Sequence, residues 1–270
     1  MPESDIDLDL LVRQVQSLAK YSRVSSELIH SLLVREMAKR PNTKEAVKAV
    51  RSKLHQVGTA YQEKPLPYAA WTDELATLPA DLHDPAALAF LQRILPAHSS
   101  TRERMPILPR FFTESLADLG EINSVLDLAC GLNPLAIPWM PLKHGFTYTA
   151  CDIFTDMVDF INIFFKHFQL NGSALLTDIT QSIPTVQADL VLILKTIPCL
   201  EQVDKEAGQR LLTGLDAPNL LVSFPARSLG GKSKGMPRYY EQHFYELIAG
   251  RPWRIARFEF PGEIAFLVQK

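Results

Sequence analysis

Five short apolar runs, Ser124–Leu128, Thr147–Cys151, Ser173–Thr177, Leu190–Leu194 and Asn219–Phe224, alternate with helix-compatible segments such as Thr155–Phe168 and Glu201–Leu212. Strands that are apolar on both faces, each followed by a helix, belong to a parallel sheet covered on both sides. After a helix near Tyr239–Ala249, the tail adds two more strands, Arg254–Phe260 and Glu263–Val268, joined by Pro261-Gly262. So short a link permits only an antiparallel hairpin. The expected fold class is therefore α/β, Rossmann-like, with a mostly parallel seven-stranded sheet closed by a C-terminal antiparallel hairpin.

The first hundred residues carry no strand pattern and read as helices. Asp5–Tyr21 repeats apolar residues near a 3.6-residue period. Ser25 is placed to cap a helix ending before Pro41; Thr43 to cap another, with Gly58 as its stop; and Asp84-Pro85 to open a third, running to about Leu95. A helix around Pro109–Leu119 ends at Gly120. The division expected is residues 1–104 as a helical N-terminal subdomain and linker, and residues 105–270 as the α/β domain.

The net charge of −2 conceals a segregation. Between Arg13 and Lys64 there are eleven Lys or Arg against four Glu, and Arg227–Arg238 holds four cations and no acid. Screening limits each charge to a reach of about 10 Å, so such local islands, not the average, decide attraction to a polyanion. On the helix that follows Thr43, Lys44, Lys48 and Arg51 share one exposed face at helical spacing. A solvated helical surface would explain one such run; two separate islands favour nucleic acid. No apolar run approaches the roughly 20 residues that cross a bilayer, and the acidic start MPESDIDLDL is unlike a secretory signal, so a cytoplasmic protein away from membranes is expected. Three cysteines without metal-like spacing read as reduced thiols, and no metal is expected.

In a doubly wound sheet the ligand lies at the carboxyl ends of the strands. The first strand ends in SVLDLACGLNP, whose single Gly131 lets the backbone come close to a ligand, with Pro134 suited to open the next helix. A dinucleotide would require the fuller G-x-G-x-x-G cradle; S-adenosylmethionine, which has no phosphate, requires less. Asp152, 21 residues past Gly131, ends the second strand where a carboxylate can accept from both ribose hydroxyls. Asp178 ends the third, where it can accept from an adenine amine. Either aspartate alone could be a helix cap; both at strand ends beside Gly131 point to a class I S-adenosylmethionine-dependent methyltransferase. In His98-Ser-Ser-Thr-Arg-Glu-Arg104, Arg102 or Arg104 can bind the methionine carboxylate bidentately, and residue chemistry leaves the choice open.

HSSTRER, VLDLACGLNPLAIPWM, LKTIPCLE and FPARSLGGKSKGM together resemble the aminoglycoside-resistance 16S ribosomal RNA guanine-N7 methyltransferases, the Arm/Kgm/Rmt type, over nearly the whole chain. The resemblance implies methylation of N7 of guanine 1405 in the 30S subunit. It implies S-adenosylmethionine contacts from Tyr61, His98, Ser99, Ser100, Arg104 (for the carboxylate), Ala129, Gly131, Asp152, Ile153, Asp178, Ile179, Leu194 and Gln202. Lys195 is implied as the catalytic-site lysine, and Lys44, Lys48, Arg51, Arg227, Lys232 and Lys234 as residues facing ribosomal RNA. A monomer is expected, as no strongly apolar exposed stripe is evident. Three other readings compete: the same fold acting on another RNA position, a non-catalytic ribosome-binding relative, and a small-molecule methyltransferase. The last leaves the basic islands unexplained.

Overall fold

The computed structural model describes residues 7–56, 65–226 and 236–270. Tyr61, Arg227, Lys232, Lys234 and the expected helix stop Gly58 lie outside the described residues. Among those described, no helix is long and apolar enough to cross a membrane.

The N-terminal region is helical, as its periodicity requires. Helix α1 (Leu8–Gln16) is capped by Asp7 and buries Leu11, Val12 and Val15. The expected single helix to Tyr21 instead stops at Gln16, and a separate 3-10 turn, Ala19–Tyr21, follows. Its Leu18 is in an extended conformation, which ends the helical ladder. Ser25 caps α2 (Ser26–Met37) as expected. The cap of α3 (Thr43–Leu54) is Asn42 rather than Thr43: its Oδ1 accepts from the Glu45 backbone N–H at 2.9 Å, while Thr43 is already helical. Asn is among the best residues at this position, and it lies one residue earlier. Then come α4 (Tyr68–Leu75), α5 (Pro85–Ile94, capped by Asp84), α6 (Ser99–Arg104) and α7 (Leu108–Ser115).

Seven strands follow: β1 (Ser124–Leu128), β2 (Thr147–Asp152), β3 (Asn171–Leu176), β4 (Leu190–Leu194), β5 (Asn219–Pro225), β6 (Arg254–Phe260) and β7 (Glu263–Gln269). Their order in the sheet is β3-β2-β1-β4-β5-β7-β6. The first five pair in parallel, and β7 runs antiparallel between β5 and β6. The Pro261-Gly262 link makes the expected hairpin, with Gly262 at φ 87°. All five residues of β4 are buried, as an inner strand covered on both faces requires.

Helix α8 (Thr155–His167) covers one face through Phe160, Ile161, Phe164 and Phe165. The stretch expected as one helix, Glu201–Leu212, is two: α9 (Ile197–Val203) and α10 (Ala207–Gly214). The break falls at Asp204, whose extended backbone lets its carboxylate accept from the Glu206 N–H at 3.1 Å. A capping aspartate competes with helix continuation here. Pro134 opens not an α-helix but a 3-10 segment, Asn133–Trp139, with Pro138 inside it removing a further N–H donor. Helix α11 (Met236–Leu247) packs Phe244 flat on Phe266 of β7 at 4.1 Å between ring centres.

The helical region is fastened onto the sheet domain. Val24 bridges Phe154 in antiparallel fashion, the Ser25 N–H donates to the Ile153 carbonyl at 2.8 Å, and the Thr155 N–H donates to Arg23 at 2.8 Å. On α3, the Lys53 ammonium donates to the Val203 carbonyl of α9 at 3.1 Å and pairs with the buried Glu36 of α2 at 3.2 Å. A buried carboxylate between two cations, Arg40 and Lys53, is compensated, and removal of both would strand its charge in low dielectric.

Candidate active site

The carboxyl ends of β1, β2, β3 and β4 open into one cleft. His98, Ser100, Ala129, Asp152, Ile153, Asp178, Ile179, Leu194 and Lys195 all line it. Leu28 of α2 and Cys199, Leu200 and Val203 of α9 complete its walls.

Beyond β1 the chain turns through two left-handed residues, Ala129 (φ 51°) and Gly131 (φ 53°). A side chain at Gly131 would meet the His98 ring at 2.8 Å, so the close approach demands glycine as well as the conformation. The turn is held by Asp152: one carboxylate oxygen accepts from Gly131 N–H at 2.8 Å, the other from Ile153 N–H at 2.7 Å. The Cys130 thiol also donates to Asp152, at 4.0 Å, and the carboxylate lines the cleft. Burial raises the Asp152 pKa, and the backbone donors from Gly131, Ile153 and Phe154 oppose the shift.

At the end of β3, Asp178 Oδ1 accepts from the Thr180 N–H at 2.9 Å and hydroxyl at 2.7 Å. Its Oδ2 is buried without a hydrogen-bond partner. An orphaned buried acceptor costs roughly 1–3 kcal/mol, and an amine donor bound in the cleft removes that cost. A nucleoside fits these acceptors: ribose hydroxyls can donate to Asp152 and an adenine amine to Asp178, with the apolar side chains of Ile153 and Ile179 beside them.

The other end of the cleft is built from charge. Lys195 follows β4 in a left-handed conformation (φ 59°), held by its N–H donating to the Ser223 carbonyl at 3.0 Å. Its ammonium, 3% exposed, donates to Glu103 at 2.7 Å and lies 3.3 Å from Glu263. Glu263, the first residue of β7, is 1% exposed and also takes Arg104 at 2.7 Å and the Ser223 hydroxyl at 2.6 Å. Burial alone would raise its pKa; Arg104 and Lys195 outweigh burial and hold it below the ordinary range.

Arg104 itself is fully buried, donates also to Asn133 at 3.1 Å, and stacks over Phe111 at 4.7 Å. It stands behind the cleft wall rather than in its lining, beside Ser99, whose buried hydroxyl has no partner. Asn133 in turn donates to Asp127, which also takes the Tyr148 hydroxyl at 2.7 Å. Burial pushes the Asp127 pKa up to about 6. His98, hydrogen-bonded to Ser100 at 3.0 Å, is lowered to about 4 by burial and then by Arg104, Arg102 and Lys195, and so stays neutral.

Other expected residues lie apart. Gln202 faces a separate groove between α3 and α9, with Arg40, Lys48 and Lys53; its neighbour Val203 lines the cleft instead. Lys44 and Lys48 are exposed on α3, whereas Arg51 donates to the Gln14 carbonyl at 2.9 Å and so ties α3 to α1. Glu263 was not legible as a site residue, because it is 159 positions from Arg104. The one local hint is a charged residue opening a strand that is otherwise apolar. Among the described residues, no group of three His, Cys, Asp or Glu could hold a metal ion.

A seven-stranded sheet with one reversed strand, and a cleft lined by aspartates beyond the ends of β2 and β3, defines a class I methyltransferase that uses S-adenosylmethionine. Its sequence matches the model of the family described as "Ribosomal RNA methyltransferase (FmrO)" over residues 17–267, and the chain belongs to that family. It is similar to the 16S rRNA (guanine(1405)-N(7))-methyltransferase of Micromonospora rosea, with 32% identity over 98% of each chain. The enzyme of the same description from Serratia marcescens is 31% identical over 83% of each. Among solved structures, the 16S rRNA methyltransferase RmtF in complex with S-adenosyl-L-homocysteine superposes with a TM-score of 0.80, at 28% identity, over 99% of this chain and 100% of that one.

Proposed function

We propose that this enzyme methylates N7 of guanine 1405 in 16S ribosomal RNA, acting as a cytoplasmic monomer on the assembled 30S subunit and conferring aminoglycoside resistance. The observation that carries the reading is the combination of an intact nucleoside cleft with a buried lysine, Lys195, at its far end, in a chain related end to end to enzymes of that specificity. S-adenosylmethionine bound in the cleft supplies a methyl group on a sulfonium centre.

The chain's own residues have three tasks. Asp152 and Asp178 hold the nucleoside, and Arg104 with His98 to Ser100 sets the charge around the methionine end. Leu28, Ile153, Ile179, Leu194 and Leu200 exclude water. Guanine N7 carries an in-plane lone pair and no proton, so no general base is needed. Rate enhancement then comes from alignment of base and methyl group and from fixed dipoles around the shifting charge. The base must leave its stack to reach the cleft, at a cost of a few kcal/mol. Lys44 and Lys48 on α3, with Arg227, Lys232 and Lys234, supply phosphate contacts that offset that cost.

Radiolabelled methyl transfer to intact 30S subunits, naked 16S RNA and free nucleotides tests the reading. Incorporation into subunits alone is expected, with a primer-extension stop at position 1405 after borohydride reduction and aniline cleavage. A signal elsewhere would favour another RNA position, and no incorporation would overturn the assignment. Expression in a sensitive bacterium should raise resistance to gentamicin and not to apramycin.

A further inference from the structure

Glu103 does not itself line the cleft, yet it pairs with Lys195, which does. It lies on α6 one turn beyond Ser100, which lines the cleft, and it reaches Lys195 at 2.7 Å. The three charged groups are graded in exposure: Glu263 at 1%, Lys195 at 3% and Glu103 at 45%. Lys195 has three N–H donors; one bonds Glu103, and Glu263 pairs with the ammonium by charge at 3.3 Å, which leaves donor capacity for a ligand. Among the described residues only Lys195 bonds Glu103, through Oε2, so Oε1 is open to a donor.

From Lys195 outward, the pair therefore presents a donor and then an acceptor. Guanine offers the complement in the same order. With N7 directed into the cleft, the adjacent O6 accepts, and the next position along the edge, N1–H, donates together with the 2-amino group. Adenine offers the reverse, an N6 amine followed by an N1 acceptor, which sets donor against ammonium and lone pair against carboxylate. Both bases have an N7 lone pair, so the nucleophile alone cannot discriminate between them.

We propose that Lys195 and Glu103 form a guanine-reading pair, in which the lysine donates to O6 and Glu103 accepts from N1–H and the 2-amino group, making Glu103 a specificity-determining residue. This rests on the reading of the target as a guanine. Glu103 can be removed without leaving Lys195 unpaired, because Glu263 remains its counter-ion.

The test uses 30S subunits reconstituted with either guanine or adenine at the target position, assayed with enzyme in excess. Glu103→Ala is expected to lower kcat/KM on guanine subunits by about 10- to 100-fold, the range of a hydrogen bond to a charged group. Glu103→Gln, which keeps a neutral acceptor, should fall between. Transfer to adenine subunits should not decline in parallel, and the Kd for S-adenosylhomocysteine should stay within about twofold. A guanine rate within about threefold of the parent, or parallel loss of both base activities with cofactor affinity, would overturn the inference and leave the proposed function standing. No transfer by the parent enzyme to guanine subunits would overturn both.

Discussion

The two ends of the cleft handle buried carboxylates in opposite ways. At the nucleoside end, Asp152 and Asp178 are tied to backbone N–H groups or to Thr180, and Asp178 Oδ2 is left without a partner, free to accept from a ligand. At the methyl end, Glu263 is neutralised by Arg104 and Lys195 and saturated by Ser223. The first arrangement stores recognition as unmet hydrogen bonds; the second fixes charge in place before any ligand arrives. Changes at one end should therefore read out mainly in affinity, and at the other mainly in stability.

The sharpest way to break this contrast is Glu263→Ala. It leaves two buried cations without their shared counter-ion, and a cost of about 3–5 kcal/mol is expected. Urea unfolding should show the loss, and a variant as stable as the parent would mean that the methyl end is not held by charge. Asp178→Asn should do the reverse. An amide nitrogen in place of the orphaned oxygen turns an acceptor toward adenine into a donor, so affinity for S-adenosylhomocysteine should fall about tenfold in calorimetry, with the unfolding midpoint nearly unmoved.

His98, at the seam between the two ends, gives a smaller and pH-dependent effect. Its pKa drops from the ordinary 6.5 to about 4 on folding. Between those values the unfolded chain binds more protons, so this residue's share of stability is present above pH 6.5 and is lost as pH falls toward 4. Asp127, raised to about 6, acts in the opposite sense in the same window, so parent and variant must be compared directly. His98→Asn should lose less stability than the parent on acidification from pH 6.5 to 4, by roughly 2–3 kcal/mol at most. Parallel urea titrations measure the difference, and identical slopes would place the imidazole outside this linkage.

Local chemistry made the sheet and the nucleoside end readable. The runs at Ser124–Leu128, Leu190–Leu194 and Arg254–Phe260 coincide with β1, β4 and β6, because an apolar or alternating run bounded by turn residues has few other solutions. That Asp152 and Asp178 meet at one cleft was legible since both stand at the ends of neighbouring strands. The methyl end was not. Arg104 and Glu263 meet only through the reversal of β7, and Lys195 meets Glu103 across 92 positions, so no window of sequence contains either pair. Gln202 shows the limit of carrying a role by motif: one residue's rotation on α9 gives the cleft to Val203 and turns Gln202 to the outer groove.

The fastening of the first helices has a consequence for how such proteins recombine. Leu28 stands in the ligand chamber, Val24 and Ser25 pin the loop after β2, and Lys53 holds the end of α9. The amino-terminal hundred residues are thus masonry of the chamber rather than an appendage to it. A hybrid that grafts this segment from one relative onto the sheet of another inherits its nucleoside affinity from both parents, and a mismatch at Val24, Leu28 or Lys53 is felt by the ligand before any RNA is bound.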